Sequence, residues 1–369
     1  MSEVAQFGEL RVGVAGLGFG AAVHVPTLQG VPGVRVVGLA GSSVERAARV
    51  AARLGVEQAC GSVEHLLDLK LNAITLALPP DQVSRAVGLA LSRGVAVLCE
   101  KPLGINLDEA LELSRKGRGH VTAMDFQFAE LSTFGRLKQI IRGGELGNPR
   151  HMQVVWLGES WAQRHQKWSW KTDATRGGGV INLLGSHLFF LAEWLLGPAR
   201  TVWAQTNVSS PARFAPPGSI PAEDLVHCRI EHEGGVVWAA TFGNANPGSA
   251  VHRWTVVCDQ GTVTLENISG DTFGGFTLRV SGRKSDGEQM AEPRLNEDER
   301  FAPFRSLAVR FLNGVRNQHA VYPDFAVGAQ VQRVDAAVRA GASSGQGQVL
   351  GGRAPGQTVS PIIAQQTSR

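Results

Sequence analysis

The sequence predicts a two-part α/β protein. An N-terminal doubly wound parallel sheet is followed by an α+β domain with an open, mostly antiparallel sheet. Three observations predict it. The first third alternates short apolar runs with helical patterns, the order that builds a parallel sheet covered on both faces. A glycine-rich turn, Gly16-Leu17-Gly18-Phe19-Gly20-Ala21, joins the first apolar run to a helical segment. Beyond Asn148-Pro149 the pattern changes to close strand pairs joined by glycine turns, and all eight tryptophans fall in that part.

In chain order, the strands of the first sheet are expected at 10–15, 34–40, 73–78, 95–99 and 120–124, with helices at 44–54 and 82–92 between them. Runs as apolar as Ile74-Thr75-Leu76-Ala77-Leu78 suit strands buried on both faces. Two hairpins follow: 224–231 with 236–242 across Glu233-Gly234-Gly235, and 253–258 with 262–266 across Asp259-Gln260-Gly261. Residues 269–300 are polar and are expected to form a mobile loop. Helical periods return at 304–318 and 328–340. The expected domains are 1–125 and 126–350, the last helices packing back on the first domain, with a flexible tail over 351–369.

Composition narrows the function classes. The chain has 369 residues, 43% hydrophobic and 18% charged, enough for two cores. Its net charge of +4 is not concentrated in any basic block, which suits a small anionic ligand and not a nucleic acid. None of Cys60, Cys99, Cys228 and Cys258 forms a C-x-x-C pair, so reduced thiols in a cytoplasmic protein are expected. The N-terminus lacks a signal-peptide layout, and no apolar run of about 18 residues suggests a membrane span.

The glycine turn has the Gly-x-Gly-x-x-Gly/Ala spacing that holds a dinucleotide pyrophosphate at a helix N-terminus. Gly16 makes the turn, Gly18 lets the diphosphate approach, and Ala21 lets the helix pack on the strand. The bland reading is an ordinary βα turn. At the end of the second strand, where a carboxylate would hold an NAD ribose, stand Gly41-Ser42-Ser43, with no acid before Glu45. Ser42, Ser43 and Arg46 suit a 2′-phosphate, so NADP is favoured over NAD.

Further along, Cys99-Glu100-Lys101-Pro102 ends a strand, where ligands of an open parallel sheet bind. Lys101 there can hydrogen-bond a reacting hydroxyl; it also reads as a surface lysine before a proline-bent loop. Gly177-Gly178-Gly179 opens an apolar helix carrying Asn182, Ser186 and His187. His187 reads as an active-site acid/base or as a satisfied core histidine. Asp125-Phe126-Gln127-Phe128 lies at the domain junction, Gln127 being either a cofactor or substrate amide or part of an aromatic hinge. The segment 161–176 is basic and aromatic. It could cover a substrate, with Trp168 among its ring faces and Arg164, Lys167, Lys171 or Arg176 for an acidic group; it could equally be an oligomer contact. His227, Cys228, His232 and His252 invite a zinc reading, but neighbours on a strand face opposite ways, and no metal is expected.

Five features together resemble the glucose–fructose oxidoreductase, inositol dehydrogenase and rhizopine-catabolism (Gfo/Idh/MocA) family over roughly residues 10–350. They are GLGFGAAVHVP with His24, ALPP at 77–80 with Leu78 and Pro79, CEKP at 99–102, GGGVINLLGSH at 177–187, and the helix pattern from Pro323. The resemblance implies a Rossmann domain plus an α/β domain. It implies NAD(P)-dependent hydride transfer to or from sugars, polyols and related compounds. It implies that Lys101 reaches both nicotinamide ribose and substrate and that His187 contacts the reacting hydroxyl; Glu100 is a further candidate for the cofactor and Asn182 for the substrate. One departure stands out: the acidic position of the family's GGG-x-x-x-Asp-x-Gly-x-His pattern is Leu183, and the later Asp position is Phe190. A regulatory, non-catalytic dinucleotide sensor is therefore the second expectation. A homodimer or homotetramer is expected through the open sheet face, with His227, Arg229 and Glu231 outward, and neither nucleic acid nor membrane as partner.

Overall fold

A computed structural model describes residues 8–282 and 287–351. In the first part, β1 (Leu10–Ala15), β2 (Val34–Ala40), β3 (Gln58–Cys60), β4 (Ala73–Leu76), β5 (Ala96–Glu100) and β6 (Thr122–Asp125) form one sheet in the order β3-β2-β1-β4-β5-β6. Every neighbouring pair is parallel. The helices are α1 (Val25–Gln29), α2 (Val44–Leu54), α3 (Val63–Leu67), α4 (Pro80–Ser92) and α5 (Leu107–Lys116). Local chemistry sets their ends. Ser43 caps α2 by accepting from the Arg46 amide, and Gly55 closes it at φ +66°; Asn106 caps α5 through the Glu109 amide. β3 was not anticipated: three residues with one buried side chain carry no periodic signal.

The strand order reverses between β1 and β4, so the crevice at their carboxyl ends is where a ligand of this sheet sits. The glycine turn opens into it.

Next come α6 (Ser132–Gly143), β7 (Pro149–Leu157), α7 (Trp161–Arg164), α8 (Ser186–Leu196), β8 (Ala199–Asn207), α9 (Ser209–Ala212), β9 (Leu225–His232), β10 (Val237–Gly243), β11 (Val251–Cys258), β12 (Gly261–Asn267), β13 (Thr277–Gly282) and β14 (Gln289–Ala291). Then follow α10 (Phe301–Asn317), α11 (Phe325–Ser344) and β15 (Gln348–Val349). A nine-stranded sheet runs β14-β13-β12-β11-β7-β10-β9-β8-β15. Only β7 and β10 pair in parallel; both expected hairpins are present. The 269–300 segment is not simply a loop: β13 and β14 within it extend the sheet. Its alternation is short and is interrupted by glycines, which hid it. All but the first residue of the expected tail lies outside the described residues.

Strands β9 and β11 of the second sheet bury alternate side chains. On β9, Val226, Cys228 and Ile230 face the core while His227 and Arg229 are exposed, so His227 and Cys228 do point opposite ways. The helix lying on the buried face is apolar on all sides. The stretch Ala174–Leu196 is long and apolar enough to cross a membrane, but 78% of its most apolar window is buried inside this molecule. That is the composition of a central core helix. On the other side of the molecule, α10 returns to the parallel sheet: Phe304, Leu307, Phe311 and Leu312 share a core with Val12, Val14, Val23 and Leu98.

Candidate active site

Gly16 has φ +122°, and a Cβ there would lie 2.3 Å from the Ala77 carbonyl oxygen, so only glycine fits where the loop presses against the end of β4. Gly18 is the opposite case: a Cβ would meet nothing within 4 Å, because this part of the loop faces the open crevice. The close packing expected of Ala21 is shared. Gly20 lies against Val14 and Ala77, and Ala21 is buried beside it. Leu17 folds over Gly41 at the end of β2. A tight turn with one open glycine fits a dinucleotide pyrophosphate, as the fold requires. The following turn, Gly20–His24, is a π-helix that leads into α1.

Of the ribose-side candidates, Ser43 commits its hydroxyl to the helix cap, which leaves Ser42 and Arg46 exposed beside it. Leu78 and Pro79 are half-buried in the loop from β4 to α4.

The π-turn carries His24 into the core, behind the strand ends. Its Nδ1 is 3.0 Å from Thr75 Oγ1, and its Nε2 is 3.5 Å from both Glu100 Oε1 and Asp125 Oδ2. The ring stacks on Phe304 and meets Phe19 edge-on. Gln127 Nε2 donates to Asp125 Oδ2 at 2.7 Å and reaches Glu100 Oε1 at 3.5 Å. The amide expected to meet the cofactor or substrate thus holds two carboxylates; its own Oε1 is buried without a partner. Burial, together with neighbouring Glu100, pushes the Asp125 carboxyl well above its ordinary range. Glu100 is lowered by its hydrogen bonds to His24 and Asp125, which outweigh burial. Burial opposes charge on His24, but the two carboxylates raise it overall. The network couples one imidazole to two carboxyl groups whose ionisations are pushed apart, Glu100 down and Asp125 up. His24, Glu100 and Gln127 all stand out in the sequence, Glu100 for the nicotinamide ribose; Asp125 lies within a motif there but is given no such role.

Lys101, one residue beyond Glu100, points the other way. Its Nζ donates to the Leu183 carbonyl at 2.7 Å. Burial lowers its ammonium to about 8, against the opposing pull of Glu100. The Leu183 carbonyl belongs to a second π-helical turn, Ile181–Gly185, that precedes α8. The triple glycine thus opens not a plain α-helix but a π-turn feeding one. Glu223, unmarked in the sequence, holds that turn: its side chain accepts from the Ile181 amide at 3.2 Å and pairs with Arg339 at 2.8 Å.

His187, in the first turn of α8, is buried, with Nδ1 lacking a partner. Burial, and then the charges of Lys101 and His252, hold it well below its ordinary value, so it is a neutral imidazole beside Lys101. Aromatic rings enclose it: Phe128 at 4.9 Å, Phe126 at 6.2 Å and Trp156 at 6.3 Å between centroids. Trp156 stacks on His252 on β11. The indole at this site is Trp156, from the sheet, whereas Trp168 sits half-buried in the 161–176 segment with no ring contact to His187. Asn182 Nδ2 donates to the Gly177 carbonyl, and its Oδ1 is buried without a partner.

The four residues of the zinc reading are not gathered. His232 bonds the Gly197 carbonyl, His227 meets Thr241, and His252 accepts from the Trp254 indole. Among the described residues, the ligand-type atoms that lie together are those of His24, Glu100 and Asp125, within 4.8 Å, already joined as a hydrogen-bonded acid–base network.

Comparison with known proteins agrees with this geometry. Residues 10–121 match the family model described as "Oxidoreductase family, NAD-binding Rossmann fold", and residues 134–264 match "GFO/IDH/MocA C-terminal domain". The chain belongs to the Gfo/Idh/MocA family of NAD-binding oxidoreductases. An uncharacterised oxidoreductase of Synechocystis sp. is 25% identical over 342 residues, covering 88% of this chain and 91% of the relative. An inositol 2-dehydrogenase of Saccharopolyspora erythraea is 28% identical over 286 residues, covering 74% and 77%. A levoglucosan dehydrogenase structure, in complex with NADH and L-sorbose, shares the fold with a TM-score of 0.84 at 19% identity, over 93% of this chain and 99% of that one.

Proposed function

We propose that this protein interconverts a hydroxyl and a carbonyl group on a sugar, inositol or other polyol, with a nicotinamide dinucleotide. The observation that carries the reading is the meeting of Lys101, from the parallel sheet, with the Leu183–His187 turn, from the other domain, at the strand ends. Gly16–Ala21 would hold the dinucleotide's pyrophosphate, and the bound nicotinamide would supply hydride exchange. The protein residues handle the proton.

Lys101 is suited to that task because its ammonium and amine interchange near pH 8. As amine it takes the proton of the reacting hydroxyl; as ammonium it returns it to the oxygen of a carbonyl. His187, neutral and ringed by Phe126, Phe128 and Trp156, offers a lone pair or an N–H to the same oxygen and excludes water. Asn182 Oδ1 is a further acceptor for a substrate hydroxyl. Leu183 does not remove the acid–base function, because its backbone carbonyl holds the lysine in place.

For the cofactor, the lack of a carboxylate before Glu45 and the exposed Ser42 and Arg46 support NADP over NAD. The outward His227, Arg229 and Glu231, with Arg229 over the Trp203 ring at 4.5 Å, support a homodimer or homotetramer through the sheet face. Four buried, unpaired thiols support a cytoplasmic setting.

The test is nicotinamide turnover by the purified protein, offered NADP and NAD with pools of polyols and sugars, beside Lys101→Ala. Turnover that needs Lys101 is expected. Tight dinucleotide binding with no turnover across broad pools would instead favour a sensor.

A further inference from the structure

The turn that presents Leu183 to Lys101 is held from outside itself. The first amides of a helix lack a partner within it. Here one residue serves two of them. The Glu223 carbonyl accepts from the Val180 amide at 2.8 Å, and the Glu223 carboxylate accepts from the Ile181 amide at 3.2 Å. Gly179, at φ +95°, makes room for that carboxylate, because a Cβ there would run into it. The third glycine of the triple thus lets an acid reach the start of the turn.

Glu223 is gripped in its turn from α11. Arg339 Nη1 donates to Glu223 Oε2 at 2.8 Å, while Oε1 faces Ile181, so each carboxylate oxygen has one task. Burial opposes the charge of Arg339, but Asp335, one turn back on the helix, and Glu223 raise it overall. Without Arg339, the buried Glu223 would be a carboxylate with no opposing charge. Turning to solvent or taking a proton would relieve it, and either would weaken its hold on the Ile181 amide.

The same helix reaches the other half of the site. Gln332 lies two turns before Arg339, about 10 Å along the axis. Its Nε2 donates to the Gly104 carbonyl at 3.3 Å. One turn earlier, Gly328 packs so closely that a Cβ would lie 3.0 Å from Leu103 and 3.0 Å from Met124. Leu103 and Gly104 follow Lys101-Pro102 directly. One helix therefore holds both the loop that carries Lys101 and the turn that carries Leu183.

We propose that Arg339 and Glu223 are positioning residues of the reaction. Through the Ile181 amide they fix the turn against Lys101, so that the Leu183 carbonyl holds the lysine while Asn182 and His187 face the substrate. This rests on the oxidoreductase reading and adds to it two residues that act through the turn.

Two readouts test it, and the first needs no substrate. Amine labelling of Lys101 in the protein alone, read by mass spectrometry at one pH and referred to the exposed Lys70, reports whether the Leu183 carbonyl still holds the amine. Arg339→Met should raise the Lys101 rate about tenfold to a hundredfold, the effect of losing one charge-assisted hydrogen bond. Arg333→Met, on the same helix, should leave it unchanged. Glu223→Gln keeps an acceptor for the Ile181 amide but loses the ion pair, and should act as Arg339→Met does. The double variant should be no worse than either single one, since the same pair is broken in all three. An unmoved Lys101 rate, or single effects that simply add, overturns the proposal. The second readout is turnover with a substrate found for the wild type. Arg339→Met should lower kcat by about tenfold to a hundredfold, the cost of a site displaced by about 1 Å, with NADP affinity unchanged. Arg339→Lys, which keeps the charge, should recover part of the loss. Unchanged kcat beside faster labelling overturns the proposal and leaves the oxidoreductase reading standing. Faster labelling in a wild type that turns nothing over would keep the coupling of Arg339 to Lys101 and remove the oxidoreductase reading.

Discussion

Lys101 Nζ donates to the backbone carbonyl of Leu183 at 2.7 Å, across the seam between the two sheets. Leu183 occupies the position where the family pattern carries an aspartate. The lysine is held here by a main-chain oxygen, which has no charge to keep the ammonium protonated. Burial then prevails, and the ammonium falls to about 8.

Replacing Lys101 by Ala should lower turnover by about a hundredfold to ten-thousandfold, the range for loss of a positioned acid–base group. Dinucleotide binding should survive, because the glycine turn is untouched. Fluorescence titration with NADPH beside steady-state rates measures both; retained activity would remove the role.

The pH profile has a definite sign. Burial works against the Lys101 ammonium, and Glu100 is the main group that favours it. Its folded value lies below the ordinary lysine value, so the amine form appears as pH rises through about 8. Alcohol oxidation should rise through that pH, and carbonyl reduction should fall. Glu100→Gln removes the largest influence that favours the ammonium, so both limbs should shift to lower pH. Rates in each direction from pH 6 to 10 would show it.

The buried network behind the lysine gives a stability signature. The folded value of His24 is raised above 6.5 by Asp125 and Glu100, so its contribution is complete below that pH and is lost as pH rises through the raised value. Asp125, raised well above 3.8, adds in the same direction. The Tm advantage of wild type over His24→Gln should therefore be largest in mild acid and shrink toward alkaline pH. An advantage that grows with pH would contradict the upward shift of His24. Asp125→Asn, which mimics the protonated acid, should be tolerated much better than Glu100→Gln.

Two glycines two residues apart should respond differently. Gly16→Ala puts a Cβ 2.3 Å from the Ala77 carbonyl oxygen at φ +122°, and should cost about 1–3 kcal/mol or more in folding stability. Gly18→Val meets no protein atom with its Cβ, so Tm should stay nearly unchanged while NADP affinity drops sharply. Thermal melts with and without NADP separate the two.

The strands of the parallel sheet were legible because they are apolar runs between helical periods, and the two hairpins because alternation and glycine turns coincide. β3, β13 and β14 were not, since three to six residues with few buried side chains leave no period to count. At the site, Lys101 and His187 stood out as polar residues in apolar or strand-end settings. Trp156 and Glu223 did not: each looks ordinary among its neighbours in the chain, and each acquires its place from a different strand or turn packed against it.

By itself the sequence determined what is local: the glycine turn, the order of elements, the missing carboxylate after β2 and the leucine at the family's acidic position. Only the tertiary structure decided which groups share a field. The Asp125 carboxyl is pushed up because it is buried beside Glu100, against the opposing pull of His24. Gln127 serves carboxylates and not a ligand. Charge and burial act through space, and residues 82 positions apart meet only once both domains have folded.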